Sequence, residues 1–428
     1  MRIAIVGAGA AGLAAAYDLA GAGQEVVVYE AGGQVGGLAA GFRADHWDWS
    51  LEKFYHHWFT SDAHIHQLAD ELGCRDKMIF PRPVTAVYFE GKFYPFDSPR
   101  RWLSFPGFSW LDVIRFGLCG AYLRFLPDGM RLEKYTAHEW LPSRMGQRAY
   151  DLLWKPLLIG KFGEENYQQV NMAWFWSRIK ARTPRLGTFE GGFQAFLDIL
   201  AEHCCGRGVN LSLSTPIKRI EAADGGGLLV ETEQGCERFD QCIATTSPRA
   251  LAMMAPGLPE AYRDRLLALR SLGAVVMVIT LKQKLTDYYW FNLPKDSDFP
   301  YLAMVEHTNF ISPEHYGGDH IIYCGDYLET DHEYFTMSED ELLERFLPSL
   351  KLFNPKFERS WVKQRWVFKA PYAQPVPFVN HSANIPDLAT PIDGLWLASM
   401  SQVYPWDRGT NFAVEIGRRV AKLAMERA

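Results

Sequence analysis

The chain has 428 residues, 48% hydrophobic and 22% charged, more than a single core normally supports, which predicts two domains sharing a large apolar interior. Its 44 basic residues against 50 acidic give a net charge of −6 with no basic block, which excludes an extended nucleic-acid surface. Seven cysteines without zinc spacing point to a reducing compartment, and no stretch reaches the roughly eighteen apolar residues that a spanning helix needs.

The chain opens on a predicted strand, RIAIV (Arg2 to Val6), which breaks into a loop carrying Gly7, Gly9 and Gly12 and then into a helix through Ala14 to Ala20. Each glycine has a physical task in a dinucleotide cradle. Gly7 lets the strand turn sharply, Gly9 lets the backbone approach a pyrophosphate, and Gly12 lets helix and strand pack closely. The phosphate then sits at the positive end of the helix. A second strand, EVVVYE, ends at Glu30, close to the offset at which a carboxylate accepts from a free ribose hydroxyl. A chain opening directly on a buried strand leaves no room for a leader, so a cytoplasmic location is expected.

After Glu30 the chain reads AGGQVGGLAAGF, which puts a second glycine pair, Gly36 and Gly37, just past the second strand. The stretch GAGAAGLAAAYDL…VVVYEAGGQVGGLAA resembles the start of the FAD-dependent amine oxidase superfamily. That superfamily includes monoamine oxidases, protoporphyrinogen oxidases, phytoene desaturases and, more distantly, UDP-galactopyranose mutase. The resemblance implies FAD as the cofactor. Gly36 and Gly37 would let backbone approach its phosphates, with Ala10, Ala11 and Ala31 beside the same nucleotide and Leu38 near the ribityl chain.

Next, HWDWSLEKFYHHWFTSDAHIHQLADELG begins extended and turns helical near Ser61, with Thr60 or Ser61 as the cap and Ile65, Leu68 and Leu72 on one face. By resemblance this stretch leads toward the flavin, and its order His, aromatic, Thr, Asp is similar to a loop of UDP-galactopyranose mutase. His56 and His57 are therefore candidate pocket residues; packing beside Tyr55 and Trp58 is the alternative. His64 and His66 stand two apart on a helix and share no face, so no metal site is expected. VTAVYFEGKFYPF alternates about a Glu-Gly turn and predicts a hairpin. The segment Trp102 to Leu126 carries large aromatics interrupted by Asp112, Arg115 and Arg124. It suits either the core of a substrate domain or an amphipathic contact with a membrane surface. A Thr136 to Glu139 capping box predicts a helix that Pro142 ends or kinks, and Lys161, between Gly160 and Phe162, is expected to be solvated, with a place facing the pocket as the alternative.

From Gly187 the pattern returns to the nucleotide domain, with a helix, a short strand near Val209, a strand pair around residues 225 to 227, and an apolar strand ending at Thr245. By the resemblance, Ile217 contacts the adenine. PEAYRDRLLALRSL then predicts a helix, and GAVVMVITL, DHIIYCGDYL and WVKQRWVFKAPYAQPV predict strands of one antiparallel sheet. KAPYAQP is similar to the segment of protoporphyrinogen oxidases that approaches the flavin, which makes Tyr372 and Gln374 pocket candidates. The closing stretch predicts a strand, an aromatic loop and a helix whose N-terminus the resemblance aims at the flavin. Ser399 and Met400 stand where many members carry Gly and Asp, and Asp407 offers a replacement carboxylate. Asn411 and Phe412 open the helix, and Trp406 and Arg408 are further pocket candidates.

These elements predict an α/β chain with an α+β substrate domain. A discontinuous, Rossmann-like FAD-binding domain of the glutathione-reductase and amine-oxidase type takes residues 1–80, 186–257 and 388–428, and two insertions, 81–185 and 258–387, form the substrate domain. The resemblance implies hydride transfer from a C–H bond of an apolar or ring-bearing small molecule to the flavin N5. Two alternatives stand beside it: a non-redox flavoenzyme acting on a nucleotide sugar, and a nucleotide-binding protein without catalysis. A mutase needs arginines for a diphosphate and an oxidase of apolar substrates needs few cations, so the positions of Arg178, Arg182, Arg365 and Arg408 separate them.

Overall fold

The computed structural model describes residues 1–294 and 298–427. A five-stranded parallel sheet draws its strands from separated stretches of chain, in the order Asn210–Ser212, Glu25–Tyr29, Arg2–Val6, Gln241–Ala244, Leu395–Leu397. The opening strand lies at its centre, where Ile3, Ala4 and Ile5 are fully buried. That explains why RIAIV reads as a continuous apolar run rather than an alternating one. The alanine-rich helix Ala10–Gly21 packs on the closing helix Thr410–Glu426, and a Cβ at Gly417 would fall 2.2 Å from the Ala11 carbonyl. The two helices therefore cross at nearly bare backbone.

A second sheet has seven strands in the order Val362–Pro375, Ser271–Leu281, His320–Leu328, Ala303–Glu306, Trp290–Asn292, Thr85–Phe89, Lys92–Pro95. Trp290–Asn292 runs parallel to Thr85–Phe89, and the other pairs are antiparallel. The predicted hairpin forms, turning through Glu90 and Gly91 at φ 47° and 78°. Both values are positive, as a two-residue turn matched to strand twist requires.

Two local expectations fail for tertiary reasons. Pro142 does not end its helix, which runs on through Ala137–Met145, because burying Leu141 and Met145 offsets the one backbone bond that proline removes. The helix Ala63–Glu71 is capped neither by Thr60 nor by Ser61. Asn411, more than 340 positions along the chain, accepts from the backbone N–H groups of His64 (3.0 Å) and Ile65 (3.1 Å). No local pattern can disclose a cap supplied from another element.

Candidate active site

The first glycine loop is shaped by contacts that the fold itself demands, with one exception. Gly7 has φ +104° and donates to the Tyr29 carbonyl at 2.8 Å, and a Cβ on Gly12 would lie 1.9 Å from the Gly7 carbonyl oxygen. Gly9 is different. Its φ is −75°, and a Cβ there would meet nothing nearer than 3.9 Å, so close approach of a ligand is the reason left for glycine. No side chain caps the helix Ala10–Gly21, which leaves the first-turn amides around Ala10 and Ala11 directed at the loop.

The second glycine pair leans on the first. Gly36 donates to the Ala8 carbonyl at 2.9 Å and has φ +119°; Gly37 has φ +57°, and a Cβ there would lie 3.4 Å from the Gly9 Cα. Glu30 is held at the strand end by the amides of Ala8 (2.8 Å) and Gly32 (2.7 Å). The returning chain runs alongside, through Thr215 to the Glu30 carbonyl and Ser214 to the Gly32 carbonyl, both at 2.8 Å, which brings half-buried Ile217 to the same rim as exposed Ala31. Two glycine turns, an uncapped helix and one oriented acid form a donor set that fits a dinucleotide.

From there the site crosses to the second sheet. Leu38 packs on a patch of small side chains, Ala274, Ala370 and Ala373, flanked by Phe54 and Tyr327. Tyr372 joins the sheets: its hydroxyl accepts from the Ser401 amide at 2.9 Å and lies 2.7 Å and 3.1 Å from the hydroxyls of Ser401 and Ser399. Ser399 also caps the short turn Met400–Gln402. Arg408 donates to the Ala373 carbonyl and to the Tyr327 hydroxyl, with its guanidinium 4.9 Å above the Tyr327 ring.

Asp407 is engaged by protein. It accepts from Lys161 at 3.1 and 3.2 Å, Arg178 at 2.8 Å and the Trp174 indole at 3.3 Å. Lys161, for which solvation is the main expectation, is buried instead, because Asp407 and the side-chain amide oxygen of Gln374 (2.9 Å) supply partners that water otherwise would. Burial opposes ionisation of Asp407, yet Lys161, Arg178 and Arg408 around it hold its carboxyl well below the usual range. Arg182 adds a third guanidinium, on an exposed residue, where packing around the side chain, with Arg178 nearby, lowers it to about 10. The Nε of Arg178 is buried with no hydrogen-bond partner among the described residues. Three guanidinium groups against one carboxylate leave positive charge in excess whatever the state of Lys161. Arg365 does not join them; it pairs with Asp340 at the surface.

His56 and His57 close the same cleft. The Nδ1 of His56 lies 2.6 Å from the Phe54 carbonyl, and His57 bonds the Tyr289 hydroxyl. Burial lowers them to about 4 and about 3, with Arg408 acting on His56 and Arg182 on His57, so both are neutral at pH 7. A histidine depressed in the folded state contributes stability that is full above its unfolded value of about 6.5 and is lost as pH falls toward the folded value. Between pH 7 and pH 5 the wild type should therefore lose about 2 kcal/mol more stability than His57→Gln, measured by urea denaturation at both pH values. Equal losses in the two proteins would show that His57 titrates normally.

Around the cleft mouth, Trp406 stacks on Phe412 with centroids 5.4 Å apart. Asn411 is spent on the cap described above. The sequence reading names Leu38, Tyr372, Gln374, Ser399, Asp407 and Arg408, and the fold brings these six to one place. It misses Tyr327, Trp174 and the alanine patch, which carry no motif. The only local sign of the patch is the pair Ala370 and Ala373 inside KAPYAQP.

Comparison with known proteins agrees with this geometry. The family model described as flavin containing amine oxidoreductase matches residues 10–425, and the chain belongs to that family. A 15-cis-phytoene desaturase of Synechococcus elongatus is 26% identical over 330 residues, covering 67% of this chain and 67% of its own. Protoporphyrinogen oxidase 2 of Arabidopsis thaliana is 39% identical over 80 residues, 19% of this chain and 15% of its own. A structure of reduced UDP-galactopyranose mutase superposes with a TM-score of 0.76 at 15% identity, covering 100% of this chain and 96% of the other, a likeness of fold.

Proposed function

We propose that this protein is an FAD-dependent oxidoreductase that takes hydride from a C–H bond of a substrate combining an apolar or ring-bearing part with an anionic group. The two glycine loops and Glu30 support FAD as the particular flavin, since a dinucleotide has the pyrophosphate and ribose those elements suit. The flavin, when bound, supplies the two-electron chemistry. The chain's own contribution begins at the alanine patch beside Leu38, which leaves a flat apolar wall. Aromatic side chains continue that wall, with Phe42 tilted against Trp366 and Phe368 at 5.1 and 4.7 Å. Neutral His56 and His57 offer hydrogen bonds there without adding charge.

The observation that carries the anionic half is the positive excess of Arg178, Arg182 and Arg408 over Asp407. Arg178 and Arg408 are half-buried and Arg182 stands exposed beside them; buried cations are retained where an anion pairs with them, and the one carboxylate of Asp407 does not balance these groups. An oxidase of purely apolar substrates has no use for them. The relatives' names, desaturase and oxidase, support net redox use of the flavin.

The test joins cofactor and anion. The purified protein should show flavin bands that bleach on photoreduction and should release FAD on denaturation. Inorganic pyrophosphate should raise its unfolding temperature, reaching about 2.7 kcal/mol at a hundredfold excess over Kd, and should not do so for Arg178→Met. Absence of flavin, or an equal shift in both proteins, overturns the corresponding half. The convergence of three arginines also favours a second reading, non-redox rearrangement of a nucleotide sugar. UDP-galactopyranose converted by the photoreduced protein without loss of its electrons would establish that reading in place of the first.

A further inference from the structure

The helix Trp110–Phe125 sorts its side chains into two faces, one buried and one largely exposed, where Tyr122 stacks on Trp140. Phe116, Cys119 and Leu123 are buried against the core that holds Trp154, Trp174 and Trp176. On the other side Trp110, Leu111, Ile114, Leu118, Tyr122 and Phe125 all face solvent, with Trp110 at 68%, Leu118 at 69% and Phe125 at 80% exposure. At about 100° per residue these six fall within an arc of about 120° in which no charged residue lies. Arg115 borders the arc on one side and Arg124 on the other. The helix is about 24 Å long. Leu103, exposed to 69% on the short preceding helix Pro99–Leu103, extends the apolar area.

We infer that this face is a membrane-docking surface that lies in the interface of a bilayer carrying anionic lipid. A large unbroken apolar stripe is unfavourable in water and marks an interaction site. Its borders select the partner. Residues 97–134, which hold the helix and its flanks, carry six basic residues against four acidic ones, a local excess of two positive charges in a chain whose net charge is −6, although Arg101 is paired with Asp97; that excess complements a negatively charged headgroup layer. The exposed Trp110, Tyr122 and Tyr135 supply the amphipathic rings favoured at that depth. No helix among the described residues is long and apolar enough to cross a membrane, so the contact is one of lying on the surface.

The surface also leads to the candidate active site. Arg124, at the inner end of the helix, donates to the carbonyls of Ile179 (3.1 Å), Lys180 and Arg182 (2.8 Å), and so grips the segment that carries Arg178 and Arg182 into the cleft.

The test is sedimentation of the full-length protein with vesicles of phosphatidylcholine and phosphatidylglycerol at 7:3, and with vesicles of phosphatidylcholine alone. The protein should pellet with the mixed vesicles and less with the neutral ones. The exposed double variant Leu118→Glu with Phe125→Glu should bind roughly a hundredfold more weakly, since each fully buried apolar side chain contributes about a tenfold factor or more. Arg100→Glu with Lys134→Glu should weaken binding to the mixed vesicles alone. Flavin content measured in every variant separates this result from failure of the functional reading. Wild-type protein that stays in the supernatant with both vesicles overturns the inference. So does a double variant that binds unchanged, or a wild-type dimer in sedimentation velocity that the double variant abolishes without any vesicle binding.

Discussion

Alanine at Gly12 should collapse the nucleotide-binding corner, whereas alanine at Gly9 should leave the fold intact and remove the flavin. The two positions sit three residues apart in one motif, and their surroundings differ. A Cβ at Gly12 would be 1.9 Å from the Gly7 carbonyl, backbone against backbone, with no flexible side chain to give way. The cost should reach about 3 kcal/mol or more, read as a lower urea midpoint. At Gly9 the φ of −75° suits any residue and the nearest atom to a Cβ is 3.9 Å away, so the change in stability should stay within about 1 kcal/mol. Flavin released per mole of folded Gly9→Ala should nevertheless fall severalfold, because the methyl group occupies the approach to a phosphate. A Gly9→Ala protein that retains a full complement of flavin would contradict the role assigned to the loop.

Asp407→Asn is expected to be among the most destabilising single changes in the chain. It removes the carboxylate shared by Lys161 and Arg178 and leaves their charges, with Arg408 and Arg182 beside them, uncompensated in a largely buried site. Breaking a buried pair from one side costs about 3–5 kcal/mol, because the remaining charge keeps its desolvation penalty and loses its partner. The loss should appear as a lowered unfolding temperature, and inorganic phosphate should recover part of it by taking the place of the lost anion. A variant as stable as wild type would mean that water already satisfies these cations and that the cleft has no special claim on an anion.

Much of the site was legible because its chemistry depends on short segments. The first glycine loop, the second pair at Gly36 and Gly37, and Glu30 lie within thirty-one residues and obey local rules for turns, helix ends and strand ends, so their grouping follows from the one-dimensional pattern. The same holds for the hairpin at Glu90 and Gly91 and for the long apolar strand Ser271–Leu281, whose periodicity needs no partner to be read.

What the pattern could not supply was partnership across the chain. Nothing local to Lys161 names its partner, Asp407, which stands 246 positions away in sequence and 3.1 Å away in the fold, and nothing local to Asn411 shows that its side-chain oxygen caps the helix Ala63–Glu71. In the same way, Arg178, Arg182, Arg365 and Arg408 are four equivalent arginines in sequence, and the fold divides them into three at the cleft and one at the surface. The sequence by itself determined the glycine-loop corner with Glu30 and the family of the chain. The tertiary structure alone decided the charge of the pocket and the exposed stripe of Trp110–Phe125. Local conformation is set by backbone geometry and nearest neighbours, whereas the ionisation and exposure of a side chain depend on which distant residues are folded against it.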